Sequence, residues 1–262
     1  MNQVSNLFQR NESDFVSNDF TVGYAPLEFD LPEKTARRNK QPVSNIFLQW
    51  TPVQQVVSLP KSTIYTRIGK RLIDIVAASF VLIFVLSWLV PLIGVLIIIE
   101  SQGSVFFIQA RSGRRGKAFH CFKFRTMVHV TSQQGSFRQT DRNDNRVTPL
   151  GRFLRRTNLD EMPQFINVLL GDMSLVGPRP HAIQHDVLHW DSAAYRERYW
   201  VRPGITGLAQ VRGSRGATGG SHEMDHRVRY DHLYIPRQSF FLDMKICFRT
   251  LKLMFKGDAN AW

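Results

Sequence analysis

At 262 residues the chain has room for one sizeable core, or for a core with a tail. Its formal charge of +13 calls for an anionic partner, whether nucleic acid, anionic lipid or a phosphorylated substrate. The two cysteines, Cys121 and Cys247, lie in apolar surroundings with no zinc or disulfide spacing, so they read as buried free thiols in a reducing compartment.

The N-terminus lacks the continuous apolar core of a signal peptide. Residues 1–60 are rich in Asn, Gln, Ser and Pro without a sustained period, and read as a poorly ordered arm or partner-binding segment. From Ile75 to Ile99 no charged residue occurs, which makes this stretch a membrane candidate. Ser87, Pro91 and Gly94 interrupt its middle, and Pro91 removes a helical hydrogen bond. Basic residues flank both ends, with Lys61, Arg67, Lys70 and Arg71 before it and Arg111, Arg114, Arg115 and Lys117 after it. The positive-inside rule would hold both flanks in the cytoplasm, which a single crossing cannot do. A helix broken near Ser87 and Pro91, with arms of about 12 residues or roughly 18 Å, satisfies both observations by entering and returning on one side.

Residues 104–108 read as a strand, and 111–116 as a basic turn. The stretch 119–125 alternates, with Phe122 and Phe124 on one face and Cys121, Lys123 and Arg125 on the other. That cationic face reads as solvated surface or as the lining of a phosphate site. Residues 129–147 form a polar loop in which Asp141 and Asp144 read as solvation rather than metal ligation. Leu150, Phe153 and Leu154 then begin an amphipathic helix whose other face carries Arg152, Arg155 and Arg156.

The adjacent carboxylates Asp160 and Glu161 follow, beside a helix-start signal: Asn158 can cap and Glu161 can complete a capping box. Pro163 leaves two starts open, at Asn158 with a kink or at Pro163 itself. Either start puts the acidic pair at the positive end of a helix that Gly171 stops. Residues 173–176 read as a buried strand, and Arg179 is held between Pro178 and Pro180. Beyond it come a turn and strand at 202–211, then a glycine-rich loop with Gly213, Gly216, Gly219 and Gly220. Neither GxGxxG nor a Walker sequence is present. His222 to His226 fits HExxH, a zinc-hydrolase signature with Glu223 as base, although only His232 is nearby as a helper and the acidic pair would be left unexplained. The last helix is capped by Ser239. It carries Lys245, Arg249, Lys252 and Lys256 on one stripe under broad aromatic and aliphatic cover, which suits a membrane interface or a core-packing helix.

In combination these motifs resemble those of the bacterial sugar transferases, the monotopic phosphoglycosyl transferases of the polyprenyl-phosphate hexose-1-phosphate type. The resemblance spans about Lys70 to Gly257 and rests on KRLID at 70–74, FKFRTM at 122–127, LDEMPQFINVL at 159–169, GDMSLVGPRP at 171–180 and RPGITGLAQV at 202–211. Two departures stand out: the proline at Pro91 does not directly follow Ser87, and Arg212 stands where many relatives carry Asn. The resemblance implies a small cytosolic α/β domain (104–262) on the membrane surface. An N-terminal re-entrant helix (63–103) and interfacial amphipathic helices would anchor it, behind a polar arm (1–62).

It further implies transfer of a sugar-1-phosphate from a UDP-sugar to undecaprenyl phosphate through a covalent aspartyl phosphosugar. This would be the first membrane step of exopolysaccharide, capsule, O-antigen or glycoprotein glycan synthesis, on the cytoplasmic face of a bacterial inner membrane. Asp160 would be the nucleophile, and Glu161 a Mg²⁺ ligand or proton acceptor, with Asp160 also near the ion. Lys123, Arg125, Arg155, Arg179 and Gln210 would bind phosphate or substrate. Hexoses fit better than acetamido sugars. The expected partners are the two substrates and membrane lipid, with downstream glycosyltransferases and self-association open and nucleic acid excluded. The competing readings are a non-catalytic, membrane-anchored basic scaffold and the HExxH zinc hydrolase.

Overall fold

The computed structural model describes residues 61–128, 144–214 and 221–256, apart from the side chains at 221, 222, 255 and 256. The predicted N-terminal arm, Asp141, and Gly216, Gly219 and Gly220 lie outside the described residues.

The longest element is helix α1, Tyr65–Glu100, long and apolar enough to cross a membrane by length and composition. Its unbroken run of Ile, Val, Leu and Phe leaves no internal stop signal except Pro91, which sits inside the helix. The expected break near Ser87 and Pro91 is instead a π turn over Leu82–Leu86 within one continuous helix. The wider turn frees carbonyls, and local side chains take them: Ser87 Oγ donates to Ile83 O at 2.6 Å, and Trp88 Nε1 to Phe84 O at 2.9 Å.

Both ends of α1 are fastened to the rest of the protein. Near its start, Arg71 donates to the carbonyls of Val168 (2.6 Å) and Leu169 (2.8 Å), and the buried Asp74 accepts from Ser174 Oγ and Leu175 N. At its far end Glu100 accepts from Leu150 N at 2.8 Å.

Strands β1 (Phe106–Ser112) and β2 (Ala118–Phe124) form an antiparallel hairpin in register from Phe106↔Phe124 to Ser112↔Ala118. Helix α2 (Pro149–Thr157) begins with Thr148 Oγ1 accepting from Gly151 N and with proline at its first turn, the position proline tolerates. After a 3₁₀ turn, helix α3 (Gln164–Leu170) runs to Gly171, whose φ of 96° ends it. Strand β3 (Ser174–Val176) pairs in parallel with β4 (Gly204–Thr206). Glycine is required where these two motifs meet, because a Cβ on Gly204 would lie 2.1 Å from Gly177 N. The C-terminal part adds helix α4 (Ile183–His189), the short α5 (Ala193–Glu197) and α6 (Leu208–Val211), then α7 (Ser221–Tyr234) and α8 (Phe240–Lys256).

The core is a mixture of helix and strand. Leu86, Leu89, Ile93 and Ile97 of α1 cluster with Phe124 and Leu154, while Ala78 joins Phe119, Cys121, Val168 and Met173. Cys121 is buried as expected, whereas Cys247 is half-buried; both thiols are free. Ser239 caps α8 through Leu242 N, and Phe241, Phe248 and Leu251 of that helix remain exposed.

Candidate active site

Asp160 and Glu161 sit on the 3₁₀ turn Leu159–Glu161, between α2 and α3. The capping box expected from Asn158 does not form. Asn158 closes α2 in the left-handed region at φ 58° and makes no side-chain cap bond to the turn that follows. The Glu161 carboxylate turns to two cations instead of to the backbone. Its Oε1 accepts from Lys123 Nζ at 2.6 Å and from Arg179 Nη2, and its Oε2 accepts from Arg179 Nη1 at 2.9 Å. Lys123 arrives from β2 and Arg179 from the turn after β3, so two separate elements converge on one carboxylate.

Asp160 is treated differently. It is equally buried, at 8% exposed against 9% for Glu161, yet among the described residues no side chain hydrogen-bonds it. Its nearest cation is Lys123 Nζ at 3.8 Å. Burial raises the Asp160 carboxyl above its ordinary range, against the pull of Lys123. Burial acts on Glu161 in the same sense, but Arg179 and Lys123 reverse it and hold that carboxyl well below its usual range. Two adjacent acids thus hold opposite states: one locked and ionised, the other a loosely paired and more basic carboxylate. Arg155 belongs to the same neighbourhood, since its charge lowers the Asp160 carboxyl while its Nε donates to Thr126 Oγ1 at 2.9 Å.

The Arg179 turn is held along its backbone. Pro178 O accepts from Gly204 N (2.9 Å), Arg179 O from Arg198 Nη2 (2.8 Å), Pro180 O from Arg111 Nη1 (2.8 Å) and His181 O from Ser112 N (3.4 Å). Arg198 is itself only 2% exposed and donates through Nε to Asp231 of α7 at 2.6 Å. Burial and the flanking Arg198 and Arg227 hold the His181 imidazole well below its ordinary pKa, hence neutral. The Tyr195 hydroxyl donates to Asp186; His181 Nδ1 lies 2.6 Å from that hydroxyl and 3.1 Å from Arg198 Nη1, and its Nε2 lies 3.0 Å from Arg227 Nη1.

The sequence that carries this site has counterparts in known proteins. Residues 65–257 match the bacterial sugar transferase family. The chain belongs to that family. It is 46% identical over 192 residues to a UDP-glucose:undecaprenyl-phosphate glucose-1-phosphate transferase of Klebsiella pneumoniae, covering 73% of this chain and 40% of that protein. A Caulobacter vibrioides protein of the same description is 42% identical over 80% of both chains. A UDP-N-acetylgalactosamine-undecaprenyl-phosphate N-acetylgalactosaminephosphotransferase of Aeromonas hydrophila is 40% identical over 78% of this chain and 47% of its own length. The chain therefore spans less than half the length of some curated relatives and most of the length of others.

Not every residue expected at this candidate site is brought to the carboxylates. Arg125 is corrected to a helix-capping role: it donates to Ser101 O at 2.6 Å and to Gln102 O at 2.5 Å, closing the exposed end of α1. The two-residue period that put it beside Lys123 ends at Phe124, where β2 stops. Gln210 is buried in the β3–β4 layer, where its amide donates to Ile205 O at 3.0 Å. Ser87 and Pro91 lie in α1, at and beyond the π turn. Sequence reasoning missed Arg198, Asp231 and His181. Of these only His181 carried a signal, through its place directly after GPRP.

The HExxH stretch falls on α7, with the His222 side chain outside the described residues. His226 Nδ1 lies 3.3 Å from Ser214 Oγ, and His232 Nε2 donates to Ala194 O at 2.7 Å. Among the described residues no group of three metal-ligating side chains occurs.

Proposed function

We propose that this sugar transferase moves a sugar-1-phosphate from a UDP-sugar to undecaprenyl phosphate in two steps, with Asp160 as the covalent carrier. The observation that carries this reading is the asymmetry of the acidic pair. Glu161 has both oxygens hydrogen-bonded by cations, whereas Asp160 is buried, has only the looser Lys123 contact at 3.8 Å among the described residues and is more basic than usual. An Asp160 oxygen attacks the phosphorus that bears the sugar. The bond from that phosphorus to the bridging oxygen breaks, and UMP leaves with the electron pair. An oxygen of undecaprenyl phosphate then attacks the phosphosugar–aspartate and displaces the carboxylate, giving the lipid diphosphate sugar. Splitting the transfer in this way replaces one difficult displacement with two easier ones.

Lys123, Arg155 and Arg179 supply positive charge around the reacting phosphates, while Glu161 keeps Lys123 and Arg179 aimed at the site. The side-by-side carboxylates fit Mg²⁺, which takes one or two carboxylates and completes its shell with phosphate oxygens and water. Asp160 and Glu161 would hold the ion, which would neutralise diphosphate charge facing an anionic nucleophile.

A lipid acceptor requires the site to lie at headgroup level. In support, both ends of α1 are bonded to the same catalytic domain, through Arg71 and Asp74 at one end and Glu100 at the other. A helix crossing a core about 30 Å thick would leave one end on the far side. We therefore read α1 as entering and leaving on the cytoplasmic face of the inner membrane, with the exposed Phe241, Phe248 and Leu251 of α8 resting on the same surface. Glucose is the first donor to test, because the Klebsiella and Caulobacter relatives are named for it. One relative is named an exopolysaccharide production protein, which favours the same pathway class here.

The test is release of UMP from a panel of UDP-sugars with Mg²⁺ and undecaprenyl phosphate, run beside Asp160→Asn and EDTA. Release with one sugar, lost in both controls, is the expected result. Undiminished release by Asp160→Asn would end the covalent reading.

A further inference from the structure

Gln164 opens α3, one turn beyond the acidic pair. The chain stays right-handed from Leu159 onward, since Met162 and Pro163 both have helical dihedrals. Position 164 therefore falls on the same face as 160 and 161 behind it and as 167 and 168 ahead of it. That face is turned to β2 at both ends. Glu161 meets Lys123, while Asn167 accepts from Phe122 N at 3.0 Å and donates to His120 O at 2.6 Å. Val168 packs in the cluster that contains Cys121. Gln164 is thus enclosed between the carboxylate cluster and the Asn167 lock.

It is only 2% exposed, and its Nε2 is buried with no hydrogen-bond partner among the described residues. Asn167, on the same face, shows what an amide does here when its purpose is to join helix to strand: it makes two bonds to β2. Gln164 does not make them. A buried amide donor left unbonded destabilises a fold, and an apolar side chain of similar shape would avoid that cost. Such a group is expected where a ligand supplies the missing partner.

Resting on the reaction proposed above, we infer that Gln164 is a substrate-binding residue: its Nε2 donates to an oxygen of the sugar-phosphate that Asp160 receives. A neutral donor suits this position, because it holds a phosphoryl or hydroxyl oxygen without further lowering the basicity of the nucleophile beside it.

The test compares Gln164→Met with the wild-type protein in two measurements that a packing role would move together. Removing the orphan donor raises the thermal midpoint, by about 2–4 °C for a chain of this size. Removing the ligand contact lowers kcat/KM for UMP release by about 10-fold to 100-fold. A higher midpoint with lower activity is the expected outcome. A midpoint and an activity that both fall, or an activity that stays at the wild-type level, would overturn the inference.

A third arm needs no turnover. In the Asp160→Asn background, UDP-glucose with Mg²⁺ should raise the midpoint, and adding Gln164→Met should remove most of that shift. An undiminished shift would count against Gln164 even if the wild-type protein released no UMP. Absence of wild-type release would instead count against the proposed reaction.

Discussion

Removing the Arg179 charge tests the electrostatic account of the site most directly. In Arg179→Gln, Glu161 remains buried at 9% exposed and keeps only Lys123 as a charged partner. Losing one member of a buried ion pair costs about 3–5 kcal/mol. The remaining lysine places the expected loss near the lower end, about 3 kcal/mol. At about 2–4 °C per kcal/mol for a protein of this size, the midpoint should fall by roughly 6–12 °C. The double variant Arg179→Gln/Glu161→Gln removes the stranded charge as well, so it should recover at least half of the loss.

The pH dependence has a defined sign. Because the folded Glu161 pKa is depressed, its contribution is present above the unfolded value of about 4.3 and is lost as pH falls through the folded value. The gap between wild type and Arg179→Gln should therefore narrow on acidification below about pH 4.3. Thermal unfolding of the four proteins in one detergent gives the answer. A double variant no more stable than Arg179→Gln would refute the view that the arginine acts by compensating Glu161.

Asp160→Asn should abolish UMP release and yet be more stable than wild type at pH 7, by about 1 kcal/mol in the same unfolding assay. The raised folded pKa of Asp160 means that its stabilising contribution is complete below about pH 3.9 and is lost as pH rises through the folded value. A less stable Asp160→Asn protein would contradict this. Arg198→Lys keeps the charge but cannot span Asp231 and Arg179 O with one planar fork. It should slow UMP release by about 10-fold to 100-fold and add little to the loss caused by Arg179→Lys, whereas losses that multiply would remove Arg198 from a positioning role. Finally, thiols introduced by Lys61→Cys and Ser104→Cys should both react with an impermeant maleimide in inside-out vesicles and not in right-side-out ones. Labelling from opposite sides would sink the same-side reading of α1.

Much of this site was legible because it is built from local patterns. Alternation in β2 predicted that Cys121 and Lys123 share a face, and the structure uses that face to carry Lys123 to Glu161. Gly171 and the Pro178–Arg179–Pro180 turn were readable as punctuation, and they do stop α3 and present the arginine. Of the two helix starts left open the structure takes the one at Pro163, and the Asn158 capping box failed for a physical reason. Asn158 satisfies two local rules, as an N-cap and as a residue tolerated in the left-handed region, and only the packing of α2 against the 3₁₀ turn decides between them. Arg125 shows the same limit, since nothing local reveals that the end of α1 lies within its reach.

The least legible part is what holds Arg179 in place. Arg198 and Asp231 are 33 positions apart, on segments with no sequence period in common, and each alone reads as ordinary surface charge. Yet both are almost fully buried, and their bond ends on the Arg179 carbonyl. HExxH drew attention to α7 for the wrong chemistry, because two histidines one turn apart are conspicuous while the buried Asp231 five residues later is not. The same contrast holds at Gln164, which reads from sequence as one more polar residue on a helix. An unbonded buried amide nitrogen one helical turn from Asp160 sets it apart, and that is a property of the folded chain. Polar side chains that the fold encloses against their solvation preference therefore mark this site more sharply than its motifs do: among the described residues Asp160 is loosely paired, Glu161 doubly paired and the Gln164 amide nitrogen unbonded, all on one helical face.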